Sequence, residues 1–136
     1  MSDADDLAKL AAQWVRKAEE DMRAAEHLQS AKDAPWSVIC FHAQQCAEKY
    51  MKALLLWRDI AFPKTHDLAK LLTLFPEPLA LGWTPRDAAS LTEHATAIRY
   101  PGEYEPASKE EAVAMLQLAR RAREYIRTLL PEAALH

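Results

Sequence analysis

The sequence predicts an all-α fold, and three observations carry that expectation. The 136-residue chain holds two glycines and 26 alanines, a composition that starves the tight turns of a β-sandwich or barrel and favours helix. Apolar residues recur at spacings of three and four near the N-terminus, and no segment alternates with a period of two. Prolines and capping residues cut the chain into helix-length pieces. Half of the residues are hydrophobic, enough for one core, so residues 1–136 are expected to form a single domain.

The elements follow in order. A first helix runs from about Asp5 to Gln29, with Leu7, Leu10, Trp14, Ala18, Met22 and Ala25 on its apolar face. Asp33 and Pro35 read as a cap and an early-turn proline that open a second helix, which reaches about Ile60 and stops before Pro63. Thr65 is the expected cap of a short third helix, with Asp67 in its first turn and an end before Pro76. Thr84 and Pro85 open a fourth that extends to Tyr100, ahead of Pro101 and Gly102. Ser108 and Glu111 form an S-x-x-E capping box for the last helix, which ends at Pro131. The sum is an up-and-down four-helix bundle with one extra short helix.

Composition also excludes function classes. There is no glycine-rich phosphate loop, which removes P-loop and dinucleotide-fold enzymes. The net charge of −3 provides no global field for nucleic acid, so such binding would need a local basic patch. The longest uncharged stretch, Ala34 to Ala47, has 14 residues and contains a histidine and two glutamines, whereas a membrane span needs roughly 20 apolar residues. The acidic start MSDADD lacks the features of a signal peptide. Cys40 and Cys46 on one helix would point roughly 240° apart, separated by about 9 Å along the axis, too far for a disulfide. Reduced thiols fit a cytoplasmic location.

The second helix carries most of the information. His42, Gln45, Glu48, Lys49 and Lys52 fall within a sector of roughly 120°, and Gln44 is the polar exception on an otherwise apolar circumference. The stripe is either a strip facing water or the wall of a polar groove.

This helix reads W-S-V-I-C-F-H-A-Q-Q-C-A-E-K-Y-M-K-A-L-L from Trp36 to Leu55. It is followed by T-H-D-L from Thr65, I-R-Y-P from Ile98, and an S-K-E-E-A start to the last helix. In this order the segments resemble the HEPN family, the higher eukaryotes and prokaryotes nucleotide-binding domain, over Trp14 to Leu130. The resemblance implies a compact bundle similar to the C-terminal domain of kanamycin nucleotidyltransferase. It also implies homodimers and frequent pairing with a small nucleotidyltransferase. Suggested family roles are nucleotide binding and, in some branches, RNA cleavage as a toxin of a toxin–antitoxin pair. The cleaving branches carry an arginine, four to six residues, then a histidine. Here Arg23 and His27 are separated by three residues, Arg58 and His66 by seven, Arg86 and His94 by seven, and no histidine lies within reach downstream of Arg99. The resemblance therefore implies a binding or partner protein. A divergent RNA-cleaving toxin and a purely structural dimeric interaction domain are the alternatives.

The candidate ligand-binding residues are His42, Gln45, Lys49, Lys52, His66 and Arg99, a set that could hold a nucleotide phosphate and a base edge. Asp21, close to the apolar stripe of the first helix, is expected in a structural ion pair with Lys49, Lys52 or Arg99, because a carboxylate buried alone is costly. Asp67 answers the third helix N-terminus, and His66 either anchors its loop or reaches ligand. Arg99 either answers helix-terminal carbonyls or an acid, or binds phosphate. His42 and Cys46 offer only half a metal site, so no metal, cofactor or catalytic residue is assigned. Arg120, Arg123 and Arg127 line one edge of the last helix, either as charges that suit its C-terminal end or as a basic strip for RNA or an acidic partner. Trp36, Trp57, Trp83 and Tyr104 are candidate aromatic contacts, although core packing accounts for most of them.

Overall fold

A computed structural model describes residues 3–96, 100–102 and 105–136. The described residues form five α-helices and a terminal 3-10 turn, without strands: α1 (Ala4–Gln29), α2 (Trp36–Trp57), α3 (Leu68–Leu72), α4 (Pro85–Thr92), α5 (Lys109–Leu129) and the turn Glu132–Ala134. Cross-helix pairs give the directions. Glu19 meets Tyr50 and Trp14 meets Lys52, so α1 and α2 are antiparallel. Glu19 meets Arg123 and Glu26 meets Arg120, so α1 and α5 are antiparallel. Trp83 bonds Leu118 and His94 bonds Glu111, which sets α4 antiparallel to α5. The result is the expected up-down-up-down bundle, with α3 in the crossover between α2 and α4.

Local chemistry fixes the helix ends. Asp3 caps α1 by accepting from the Asp6 N–H at 3.0 Å. Thr84 and Asp87 form a reciprocal capping box with Pro85 at the first helical position of α4. Ser108 caps α5 by accepting from Glu111 N–H, but the Glu111 carboxylate turns to His94, so only half of the expected box forms there. Pro35 lies one position before α2 rather than inside its first turn, and neither it nor Asp33 supplies a side-chain cap. At the far end of α2 the Ile60 N–H donates to the Leu55 carbonyl and the Asp59 N–H to that of Leu56. Asp59 takes φ 58° to allow this, a Schellman closure with aspartate where glycine is commonest.

Several details differ from the sequence expectation, including the end of α2, which lies at Trp57 and not about Ile60. The third helix is capped by Asp67, not Thr65; the Thr65 hydroxyl accepts from the Asp67 N–H and shapes the turn before it. The fourth helix ends at Thr92, not Tyr100. The Thr92 hydroxyl donates back to the Ala88 carbonyl and accepts from the Leu68 N–H, and the chain tightens into three-residue turns at His94 and Ala95. The apolar face of α1 begins one position later than the leucines suggest: Ala8, Ala11 and Val15 are buried while Leu10 is 44% exposed. Alanines allow α1 to lie close to α2, and Leu7, Leu10 and Trp14 are left toward the edge of that contact.

α2 is the centre of the bundle. Ile39, Cys40, Ala43, Cys46, Ala47, Tyr50, Met51, Leu54 and Leu55 are fully buried, covered by α1, α5, α3 and α4. Each large side chain of this kind contributes roughly 1.5–3 kcal/mol by burial. The two cysteines are free and buried. Burial pushes the Cys40 thiol up to about 12 and that of Cys46 higher still, as expected of thiols packed in the core. Trp36, Trp57 and Trp83 pack partly buried against the core; Tyr104 lies outside the described residues.

Candidate functional site

The polar stripe of α2 resolves into two carboxylate-centred clusters. In the first, Asp21 of α1 holds a lysine and a histidine of α2. Its Oδ2 accepts from Lys49 Nζ at 2.7 Å and its Oδ1 pairs with His42 Nδ1 at 2.8 Å. The expected structural ion pair of Asp21 is therefore present, with Lys49 as its lysine. An ionised carboxylate only accepts, so the proton of this histidine bond lies on Nδ1. The Lys49 and His42 side chains remain about a quarter exposed, which places the cluster at the rim of the bundle.

The second cluster lies deeper. Glu48 Oε2 accepts from Lys52 Nζ at 2.9 Å, and Oε1 accepts from Gln44 Nε2 at 3.1 Å and pairs with His66 Nδ1 at 2.8 Å. Gln44, fully buried, also donates to the His66 backbone carbonyl and accepts from Gln45 Nε2. His66 thereby anchors the loop before α3 to the middle of α2 through both its ring and its backbone. Lys52 lies over the rings of Trp14 and Phe62, with Nζ 5.6 and 5.9 Å from their centroids, a favourable position for a cation removed from water. The Glu48–Lys52 pair is not the ordinary solvated helix pair that an i, i+4 spacing suggests. Its side chains are 4% and 8% exposed, where the loss of one partner is costly. Burial by itself would raise the Glu48 carboxyl, but the bonds from Lys52, Gln44 and His66 outweigh it and hold Glu48 below the usual carboxylate range.

The expected ligand set is thus divided. His42 and Lys49 belong to the Asp21 cluster, Lys52 and His66 to the Glu48 cluster, and Gln45 reaches the latter through Gln44. The strip is neither simply water-facing nor an open groove of free cations. Arg99 lies outside the described residues. No group of three or more His, Cys, Asp or Glu among the described residues is placed to hold a metal ion.

A third network was not legible in the sequence. Glu19 of α1 accepts two bonds from Arg123, at 2.6 and 2.8 Å, and one from the Tyr50 hydroxyl, which itself accepts from Arg127 at 3.0 Å. Burial opposes ionisation of Glu19, but these bonds and the two guanidinium charges hold it below the usual carboxylate range. Arg120 pairs with Glu26 at 3.1 Å. Arg120, Arg123 and Arg127 of α5 are thus drawn into contacts with α1 and α2. The one available hint was a tyrosine on the apolar circumference of α2, since a buried hydroxyl requires a partner.

A family model described as the HEPN domain matches residues 11–129. The chain belongs to the HEPN family. A curated relative, "Putative toxin MJ1304" of Methanocaldococcus jannaschii, is 30% identical over 97% of this chain and 95% of its own length. The archaeal HEPN homologue ST0689 superposes with a TM-score of 0.66 at 25% identity, covering 96% of this chain and all of that one. TT1696 from Thermus thermophilus gives 0.71 at 25% identity, covering 87% of this chain and 96% of that one. The polar clusters of this HEPN chain are therefore set in a bundle shared along nearly its full length. Among the described residues, no helix is long and apolar enough to cross a membrane.

Proposed function

We propose that this HEPN protein works as a binding partner, with a small nucleotidyltransferase as the partner class, and not as a ribonuclease. The observation that carries this reading is the accessible edge of α2. Val38, 42% exposed, His42, Gln45 and Lys49 follow one another at helical spacings along the least enclosed edge of the helix. Lys49 is balanced by Asp21, which also bonds the His42 ring, so the edge combines an apolar residue with donors already held by a carboxylate. That chemistry suits a protein surface better than a polyphosphate. The absence of the Arg-x4-6-His spacing in the full sequence agrees with this reading. The test is co-purification of the chain with a co-expressed small nucleotidyltransferase. Wild type should retain the partner, and Val38→Glu, at a side chain outside both clusters, should release it with an unchanged unfolding midpoint. Retention by the variant would remove this surface from the interaction.

The name of the Methanocaldococcus relative, a putative toxin, favours a second reading, a toxin of a toxin–antitoxin pair. It requires growth arrest on expression of the chain alone. If the arrest comes from RNA cleavage, Arg99→Ala abolishes both effects; purified protein that leaves total RNA intact for hours removes the nuclease form of this reading.

A further inference from the structure

At the rim of the bundle the His42 ring is held by one nitrogen only. Nδ1 bonds Asp21 Oδ1 at 2.8 Å, the Phe41 ring stands edge-on to the imidazole at 5.3 Å between centroids, and Nε2 bonds no described residue. The other oxygen of the same carboxylate holds Lys49 Nζ at 2.7 Å. An imidazole with its proton fixed on Nδ1 keeps its lone pair on Nε2, which makes that nitrogen the nucleophile. We propose that His42 Nε2 is a phosphoryl acceptor, taking its phosphoryl group from an activated donor of the phosphoramidate type, with Asp21 orienting the ring and Lys49 meeting the incoming oxygens.

A comparison among the histidines carries the argument. His27 is exposed, and its ring bonds no described residue. His94 and His136 turn Nε2 itself toward a carboxylate, at 3.0 and 3.7 Å. His66 shares the Nδ1–carboxylate arrangement through Glu48, but the lysine on that carboxylate is buried over the Trp14 and Phe62 rings and cannot meet an incoming anion. Only His42 joins a free Nε2, a carboxylate on Nδ1 and a lysine that is itself partly exposed. An ammonium has three N–H donors, and Lys49 spends one on Asp21, so it remains a point charge for phosphoryl oxygens. In the transfer, the Nε2 lone pair attacks phosphorus and an N–P bond forms. The P–N bond of the donor breaks, and ammonia leaves with that bond's electron pair. The positive charge that the ring acquires is met by Asp21 across the Nδ1–H bond.

The proposal does not rest on the partner reading: its test needs no second protein, and either can fail without the other. The full chain is incubated with potassium phosphoramidate at about pH 8, where an ordinary imidazole is neutral, and each histidine is followed by peptide mass spectrometry for an acid-labile, base-stable gain of one phosphoryl group. His42 should be labelled at least about tenfold faster than His27, the effect expected of a charge-assisted bond to the ring, and nuclear magnetic resonance should place the phosphorus on Nε2. Asp21→Asn should bring the His42 rate down to that of His27, and Lys49→Met should slow it by less, while the His27 rate in the same samples stays at the wild-type value. Circular dichroism should show both variants folded, and the site of attachment in the wild type tests the proposal without them. Labelling of His42 no faster than that of His27 would overturn the proposal. So would phosphorus on Nδ1, or a wild-type His42 rate in Asp21→Asn.

Discussion

α1 meets its two long neighbours through different chemistry. Toward α2, Asp21 takes Lys49 and His42, and within α2 Glu48 takes Lys52 and, from the following loop, His66. Toward α5, Glu19 takes Arg123 and Tyr50, which in turn takes Arg127, and Glu26 takes Arg120. On the first flank each cation of the stripe is balanced by a nearby carboxylate. On the second, guanidinium groups of α5 reach carboxylates of α1. A charge on a helical wheel therefore says little about availability: the stripe that looked like a ligand groove ties the fold together, and the arginines that looked like helix-end charges are spent on α1 and α2.

The comparison is broken most readily at Glu48. Glu48→Ala leaves Lys52 buried without its counter-charge and releases the His66 loop, and should cost about 3–5 kcal/mol in urea unfolding; a cost under about 1 kcal/mol would mean that Lys52 simply reaches water. Acid comes next. The carboxyls of Glu48 and Glu19 are both held below their ordinary range in the folded chain. Their contribution to stability is fully present above the unfolded glutamate value of about 4.3 and is lost as pH falls through the lower folded values. Unfolding midpoints followed downward from pH 6 should therefore drop below about pH 4, and Glu48→Gln should flatten that drop. Asp21→Asn, at the more exposed cluster, should cost roughly 1–2 kcal/mol, read in the same urea experiment. Smallest of all, Arg120→Ala removes a pair whose side chains are 37% and 49% exposed, and the unfolding free energy should move by less than about 0.5 kcal/mol.

Much of the architecture was legible because it depends on short-range chemistry. Thr84 with Pro85, the Ser108 cap and the enclosed circumference of α2 are patterns within a few residues of one another, and the fold places them as the sequence suggests. Asp21 was legible for a similar reason, since a carboxylate beside an apolar stripe has few ways to be stable. Long-range arrangement was not. A wheel cannot show which side of α2 the loop before α3 will cover, so Gln44 read as an exception and Glu48 only as one member of the polar stripe. Helix-end prolines marked outer limits, not ends: α4 stops at Thr92 because its hydroxyl bonds backward, well before Pro101. Leucine spacing misplaced the start of the α1 seam because the small alanines between those leucines are what lets α2 approach.

The central claim, that the α2 stripe is an internal truss, is tested most directly by a double-mutant cycle on Glu48 and Lys52 in urea. Glu48→Gln and Lys52→Met should each be strongly destabilising alone, while together they should cost much less than their sum, with a coupling of roughly 2–3 kcal/mol. Single variants that each cost under about 0.5 kcal/mol and simply add would contradict it, because the two side chains would then be independent and solvated.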